Sequence, residues 1–251
     1  MDKVLGSADR LRAGELGAPA MPDLRIVQPR ALLREQVLDK LRTAIIEGWY
    51  PPGTRLIERE LCEALGVSRT SVREVLRQLE SEQLITVESR RGPMVAFISV
   101  AEAEAIYETR TIFETAVVRA FIERAPEAEF ERLMVAAREF GMAAQAEDRH
   151  QLLTSMSLFY EILLRGAGNP VLQSVVNQLM ARVAFLRSKS LSEPGRLEFS
   201  VAEIQELSDA IMARDKQRAE KAAANHVDRA REAAVRQISL ENTSERLRGA
   251  S

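Results

Sequence analysis

Apolar residues recur at helical spacing from Ala31 to Gly48, at Leu33, Val37, Leu41, Ala44 and Ile45. Gly48 ends that run and Pro51-Pro52-Gly53 makes a rigid turn, under which Trp49 and Tyr50 are expected to pack. A short extended piece, Arg55-Leu56-Ile57, leads into a helix over 58–65 with Leu61, Ala64 and Leu65 inward. Gly66 ends this helix in the left-handed conformation that glycine tolerates best, Val67 fills the corner, and Ser68 caps a helix over 69–81. The third residue after the cap is Ser71, not Glu or Gln, so no capping box forms there. On that helix Val72, Val75, Leu76 and Leu79 make one stripe. Arg69, Arg73 and Arg77 make a second beside it, drifting by about 40° per step. Leu84–Val87 and Met94–Ile98 then alternate as two strands around a turn at Glu88–Pro93.

After Ser99 the period is helical almost throughout. Ser99 and Glu102 form an S-x-x-E capping box, and helices are expected near 100–124, 126–146, 149–166, 170–190, 197–213 and 216–238. Pro126, Asn169-Pro170 and Pro194-Gly195 punctuate them, and Asp215 can cap the last. The short connections imply an antiparallel bundle. The fold class is therefore mainly α: an N-terminal winged helix-turn-helix followed by an antiparallel all-α bundle. The division is an arm at 1–29, a head at 30–98, a bundle at 99–238 and a polar, frayed tail at 239–251. In and just after the arm, Arg10, Arg12, Arg25 and Arg30 either touch a phosphate backbone or belong to a disordered tail.

Composition narrows the function. Hydrophobic residues make up 46% and aromatics 5%, which favours packed helices over a β-sandwich. The single cysteine, Cys62, excludes an internal disulfide framework and a multi-cysteine zinc site; it is either a redox-sensitive thiol or a small helix residue. No N-terminal signal and no membrane span are expected, which makes a cytoplasmic location the default. Two histidines, no Ser-His-acid set and no phosphate loop leave nothing to support an enzyme.

The net charge is only -2, so a nucleic-acid reading rests on where charge is placed. The first half of the 69–81 helix carries Arg69, Thr70, Ser71 and Arg73, the part of such a helix that reaches base edges. The alternative is a solvated charged face, since Glu74, Glu80 and Glu82 are also present. Arg90 and Arg91 at the hairpin tip suit a wing beside phosphates. Across 31–98 about ten acidic residues offset about ten basic ones, so affinity per copy should be modest and salt-dependent. That favours a dimer reading two half-sites.

Residues 31–98 resemble the winged helix-turn-helix of the GntR family of bacterial transcription regulators, through PPGTRL, ERELCEALGVSRTSVREVLRQLESEQLI and the Gly92 wing. The helical part resembles the FadR subfamily's FCD domain, through YETRTIFE at 107–114, GNPVL at 168–172 and AIMARDKQRAEKAAANHV at 210–227. By that resemblance Arg59, Arg69 and Arg73 fall on DNA-contacting arginines. Ser68, Thr70 and Ser71 fall on smaller contact positions, and Gly92 on a wing glycine that approaches the minor groove. The resemblance implies a homodimer on a palindromic double-stranded operator, acting as a repressor. A carboxylate or partly apolar metabolite in the bundle would modulate it.

Many FCD domains also hold a divalent metal through one Asp or Asn and three histidines. Here those positions fall on Met156, Tyr160, Ile204 and His226. One imidazole among Met, Tyr and Ile does not make a metal site, so neither metal nor cofactor is expected. The alternatives are a metal-dependent regulator of the same fold, or one without an effector. Arg110 either pairs a ligand carboxylate or forms an i,i+4 ion pair with Glu114. His226 either lines the effector pocket or is a satisfied core histidine. Asn177 and Arg187 are further candidates for the cavity.

Overall fold

The computed structural model describes residues 30–88 and 91–249, with side chains placed from 33 to 241 apart from the gap at the hairpin tip. The order is α1 (Arg30–Ile46), α2 (Glu58–Leu65), α3 (Arg69–Ser81), β1 (Ile85–Glu88) and β2 (Gly92–Val95). Six helices follow: α4 (Val100–Arg124), α5 (Glu127–Gln145), α6 (Arg149–Gly166), α7 (Pro170–Leu191), α8 (Arg196–Met212) and α9 (Lys216–Gly249). The N-terminal arm lies outside the described residues.

The head forms as its apolar stripes require. Val72, Val75, Leu76 and Leu79 of α3 are buried against Val37, Leu41 and Ile45 of α1 and Leu61 of α2. Gly66 sits at φ 66°, where its N–H donates to the Cys62 carbonyl and turns the chain toward α3. Val67 packs into that corner. Arg42 of α1 donates from Nε and NH2 to the two oxygens of Glu82, at 2.9 and 2.7 Å, and pins the far end of α3.

The hairpin differs in register from the sequence reading. The antiparallel pairs run from Ile85 with Val95 to Glu88 with Gly92, so the return strand starts at Gly92 rather than Met94. Pro93 lies inside the strand because its free carbonyl accepts from Leu56 N–H, which adds the 55–56 segment as a third line of pairing. Trp49 is also corrected. It is 77% exposed, with its indole N–H donating to Glu47 at 3.0 Å, while Tyr50 alone packs on the core.

In the bundle, the caps expected at Ser99, Asn169 and Asp215 are present, and Asp148 adds one that the sequence reading did not name. Ser99, Asp148, Asn169 and Asp215 accept the N–H three residues ahead, opening α4, α6, α7 and α9. Glu102 completes only half of the expected box, because its carboxylate is taken by Arg182. The helix α9 runs on to Gly249, through residues read from sequence as a frayed tail. One apolar core fills the distal bundle around Phe121, Phe130, Phe140 and Phe159. A second is continuous from the head into the bundle, joining Val37, Leu41 and Ile45 to Leu153, Ala181, Leu186, Val227 and Ala234.

Candidate functional site

Two assemblies of polar groups stand out, one on the surface of the head and one inside the bundle. At the start of α3, Ser68 Oγ accepts from Ser71 N–H at 3.2 Å and lies 3.0 Å from Ser71 Oγ. The cap exposes the first turn, so Arg69, Thr70 and Arg73 face solvent while the apolar stripe is buried. Arg73 Nε lies 2.9 Å from both carboxylate oxygens of Glu58. Those bonds use Nε on a side chain that is 61% exposed, so NH1 and NH2 remain for two acceptors on a guanine. Arg59 is exposed on α2 and lies 4.0 Å from Glu63. On the wing, Gly92 takes φ 78° and a side chain built there would meet nothing within 4 Å. Arg91 is exposed and 3.8 Å from Glu88. Arg90 falls outside the described residues.

The second assembly lies between α4, α6, α7, α8 and α9. Arg110 is 1% exposed and donates from Nε to Glu114 Oε1 at 2.7 Å and from NH2 to Tyr160 OH at 3.4 Å. Burial opposes its charge, yet Glu114, Tyr160 and Tyr107 hold the guanidinium above its ordinary value. Burial pushes the Tyr160 phenol up, so its proton stays on. Arg187 stacks on the same ring, with its Cζ 4.6 Å from the ring centroid. Next to them, Glu203 Oε2 accepts from Arg196 NH2 at 2.6 Å and lies 2.8 Å from His226 Nδ1. Burial works against the Glu203 carboxylate, but His226 and Arg196 hold it below the usual range. Burial lowers His226, which therefore stays neutral at pH 7.

Several donors here have no partner. They are NH1 of Arg110, all three nitrogens of Arg187, and Nε and NH1 of Arg196; Glu114 Oε2 is an acceptor without one. Buried polar atoms are otherwise almost always paired, so such a cluster points to a group that completes it.

The structure therefore brings together Arg110, Met156, Tyr160, Ile204 and His226, all buried. The Arg110–Glu114 ion pair is present, and it leaves donor capacity over. Asn177 is not brought in. It is exposed, about 80° around α7 from Arg187, in a groove with Asp39, Arg42 and His150 between head and bundle. Arg196 and Glu203 escaped sequence reasoning as site residues. Arg187 had a signal, being a charge in helical phase with the buried Val176 and Val183. The donors around His226 do not suit a metal: a thioether, a protonated phenol and an alkyl chain flank an imidazole already bonded to Glu203. Among the described residues, no three His, Cys, Asp or Glu side chains cluster as metal ligands would.

One further contact joins the two assemblies. Arg182 of α7 is buried and donates to Gln83, just past α3, and to Glu102 of α4. The helix α7 packs directly on α1. His150 Nδ1 of α6 lies 2.6 Å from Glu47, which closes the same seam.

Comparison with known proteins agrees with this architecture. Residues 33–95 match the model for bacterial regulatory proteins of the gntR family, and residues 105–229 match the FCD domain. The galactonate operon transcriptional repressor of Escherichia coli (strain K12) is 30% identical over 211 residues, covering 75% of this chain and 91% of that protein. The HTH-type transcriptional repressor RspR of the same organism is 26% identical over 217 residues, covering 86% and 95%. Among solved structures, E. coli McbR/YncC superposes with a TM-score of 0.69 at 24% identity, over 78% of this chain and 93% of that one, a likeness of fold.

Proposed function

The chain belongs to the gntR family of bacterial regulatory proteins and carries an FCD domain, and from that premise we propose that it is a repressor whose grip on DNA is set by a small organic acid. That it is a DNA-binding transcription regulator, not an enzyme, follows from the family. The finer reading is that it works in the cytoplasm as a homodimer on a palindrome, with Arg59, Ser68, Arg69, Thr70, Ser71, Arg73, Arg90, Arg91 and Gly92 at the DNA. Arg110, Tyr160 and His226 meet the effector, and Met156 and Ile204 supply apolar walls.

The observation that carries the effector reading is the set of buried guanidinium N–H groups without partners, in a bundle that also meets the head through the Arg182 bond to Gln83. An acid that fits one arrangement of α7 better than another shifts the population of head spacings, and operator half-sites then match or do not. An acid that bound both arrangements equally would change nothing.

Genome-wide selection of DNA fragments by the purified full-length protein tests this. A palindromic consensus is expected, and Arg69→Ala and Arg73→Ala should each lower affinity for it by about 5- to 150-fold while blunting sequence preference. Fragments without a shared motif, or both variants binding like wild type, would remove the reading-helix assignment.

A further inference from the structure

Among the described residues, Arg187 is a buried cation of the helical domain with no hydrogen-bond partner at its guanidinium. Its role, resting on the acid-effector reading above, is that of the metal that the FCD resemblance implies. Arg187 is 4% exposed, and its Nε, NH1 and NH2 all lack hydrogen-bond partners. The Tyr160 ring covers one face of the guanidinium, but a ring face satisfies none of the N–H groups at the edge. Arg110 NH1 is open in the same centre, and Arg187 lies in the electrostatic field of Arg110 and Glu114.

Charge sets the valence of the missing partner. Among the buried groups, Arg110, Arg187 and Arg196 are cations, Glu114 and Glu203 anions, and His226 is neutral; Arg229, which also reaches Glu203 Oε1 at 3.3 Å, is 59% exposed and screened by solvent. One positive charge is left over, and a lone buried charge is strongly destabilising unless an anion meets it. A single carboxylate restores neutrality, and the fork of an arginine suits it. A second carboxylate would overshoot, and the open Glu114 Oε2 would repel it.

We propose that Arg187 does the work of the absent metal: it holds the carboxylate of a monovalent acid, with Arg110 NH1 as a further donor, and no divalent cation takes part. Dicarboxylates are excluded by the same charge balance.

Thermal denaturation of the full-length protein, purified through EDTA, tests each part. Wild type, Arg187→Met and Arg187→Lys are melted with sodium formate, with sodium succinate, or in HEPES of equal ionic strength, each with and without zinc or manganese. Formate is the probe because it is the smallest carboxylate. Wild type should melt a few degrees higher in formate, saturably and equally with or without metal, and should not respond to succinate. Arg187→Met should melt several degrees above wild type in HEPES, because an unpaired buried charge is gone, and should ignore formate. Arg187→Lys keeps the charge without the fork and should lose most of the formate shift while gaining no stability.

A formate shift that needs added metal would overturn the metal-free assignment and leave the acid-effector reading standing. No formate shift under any condition would overturn both. A succinate shift as large as that of formate would overturn the monovalent assignment. An Arg187→Met protein less stable than wild type in HEPES would show Arg187 to be satisfied within the fold.

Discussion

Arg182→Met offers the sharpest test of how the bundle governs the head. The substitution keeps the length and apolar stem of the side chain and removes its bonds to Gln83 and Glu102. Hydrogen bonds to a charged group contribute about 1.5–3 kcal/mol each. The net loss is smaller for two reasons. The Glu102 side chain is 42% exposed and Gln83 is exposed, so both regain water. Arg182 Nε is buried without a partner, and that cost disappears with it. A net loss of about 1–3 kcal/mol remains, which lowers the melting temperature by about 2–4 °C per kcal/mol in a chain of this size. Docking survives, because Ala181 and Leu186 still share a core with Val37, Leu41 and Ile45.

What the variant should lose is the fixed angle between head and bundle. Fluorescence anisotropy on operators with one base pair inserted or deleted between half-sites reads that angle. Each base pair moves a half-site by about 3.4 Å and turns it by about 34°. Wild type should discriminate against the altered spacings by about tenfold or more, roughly 1.4 kcal/mol, and Arg182→Met by about threefold or less. A variant with the lowered melting temperature but wild-type discrimination would show that the apolar seam alone sets the angle. An unchanged melting temperature would show that the polar contact contributes nothing.

Three other perturbations have defined outcomes. Gly166→Ala places a Cβ 2.4 Å from the Phe121 ring, which is itself held 4.8 Å from Phe130; a loss of about 1–3 kcal/mol or more is expected in urea denaturation, and a neutral result would mean that α4 and α6 can separate. For His226, burial holds the folded-state value below 6.5, so the unfolded chain takes up a proton that the folded centre resists, and stability falls as pH drops below that value. Glu203, whose folded carboxylate lies below 4.5, adds a further loss at lower pH; His226→Gln should flatten the stability profile between about pH 7 and 5, and parallel profiles would mean that His226 is not the group responsible. Arg91→Ala should weaken binding to all sequences evenly and reduce the salt slope by about one, whereas a loss confined to the cognate site would make Arg91 a base reader.

Most of the fold was legible because short-range chemistry decides it. Ser68, Ser99, Asn169 and Asp215 cap helices through an N–H three residues away, which needs no knowledge of the rest of the chain. The apolar stripe of α3 is legible for the same reason. Trp49 was misread because a large aromatic after a turn normally finds a core, and here Glu47 and solvent receive it instead. The return strand was misplaced because proline counts against a strand, and the pairing that tolerates Pro93 comes from Leu56, far away in sequence. For the buried centre, the resemblance supplied Arg110, Tyr160, His226, Arg187 and Asn177, but Asn177 lies about 80° around α7 from Arg187, and faces the groove beside the head instead. Arg196 follows a glycine at φ 75°, so no periodicity leads up to it, and its burial depends on the packing of α8 against α9.

The position of the cation has a mechanical consequence. In the metal pattern that the resemblance implies, the ligands would come from α6, α8 and α9, at the places of Met156, Tyr160, Ile204 and His226. Arg187 comes from α7 instead, and Arg182 is five residues earlier on the same helix, about 7.5 Å along its axis and about 140° around it. A carboxylate drawn onto Arg187 therefore acts on the very helix that packs on α1 and clamps Gln83 at the end of the reading helix. A rotation of α7 large enough to seat the acid must move the Arg182 guanidinium or break its bonds. If the charge-balanced head binds DNA weakly alone, as its composition predicts, a change in its angle would be enough to decide whether two copies of the proposed dimer fit one operator.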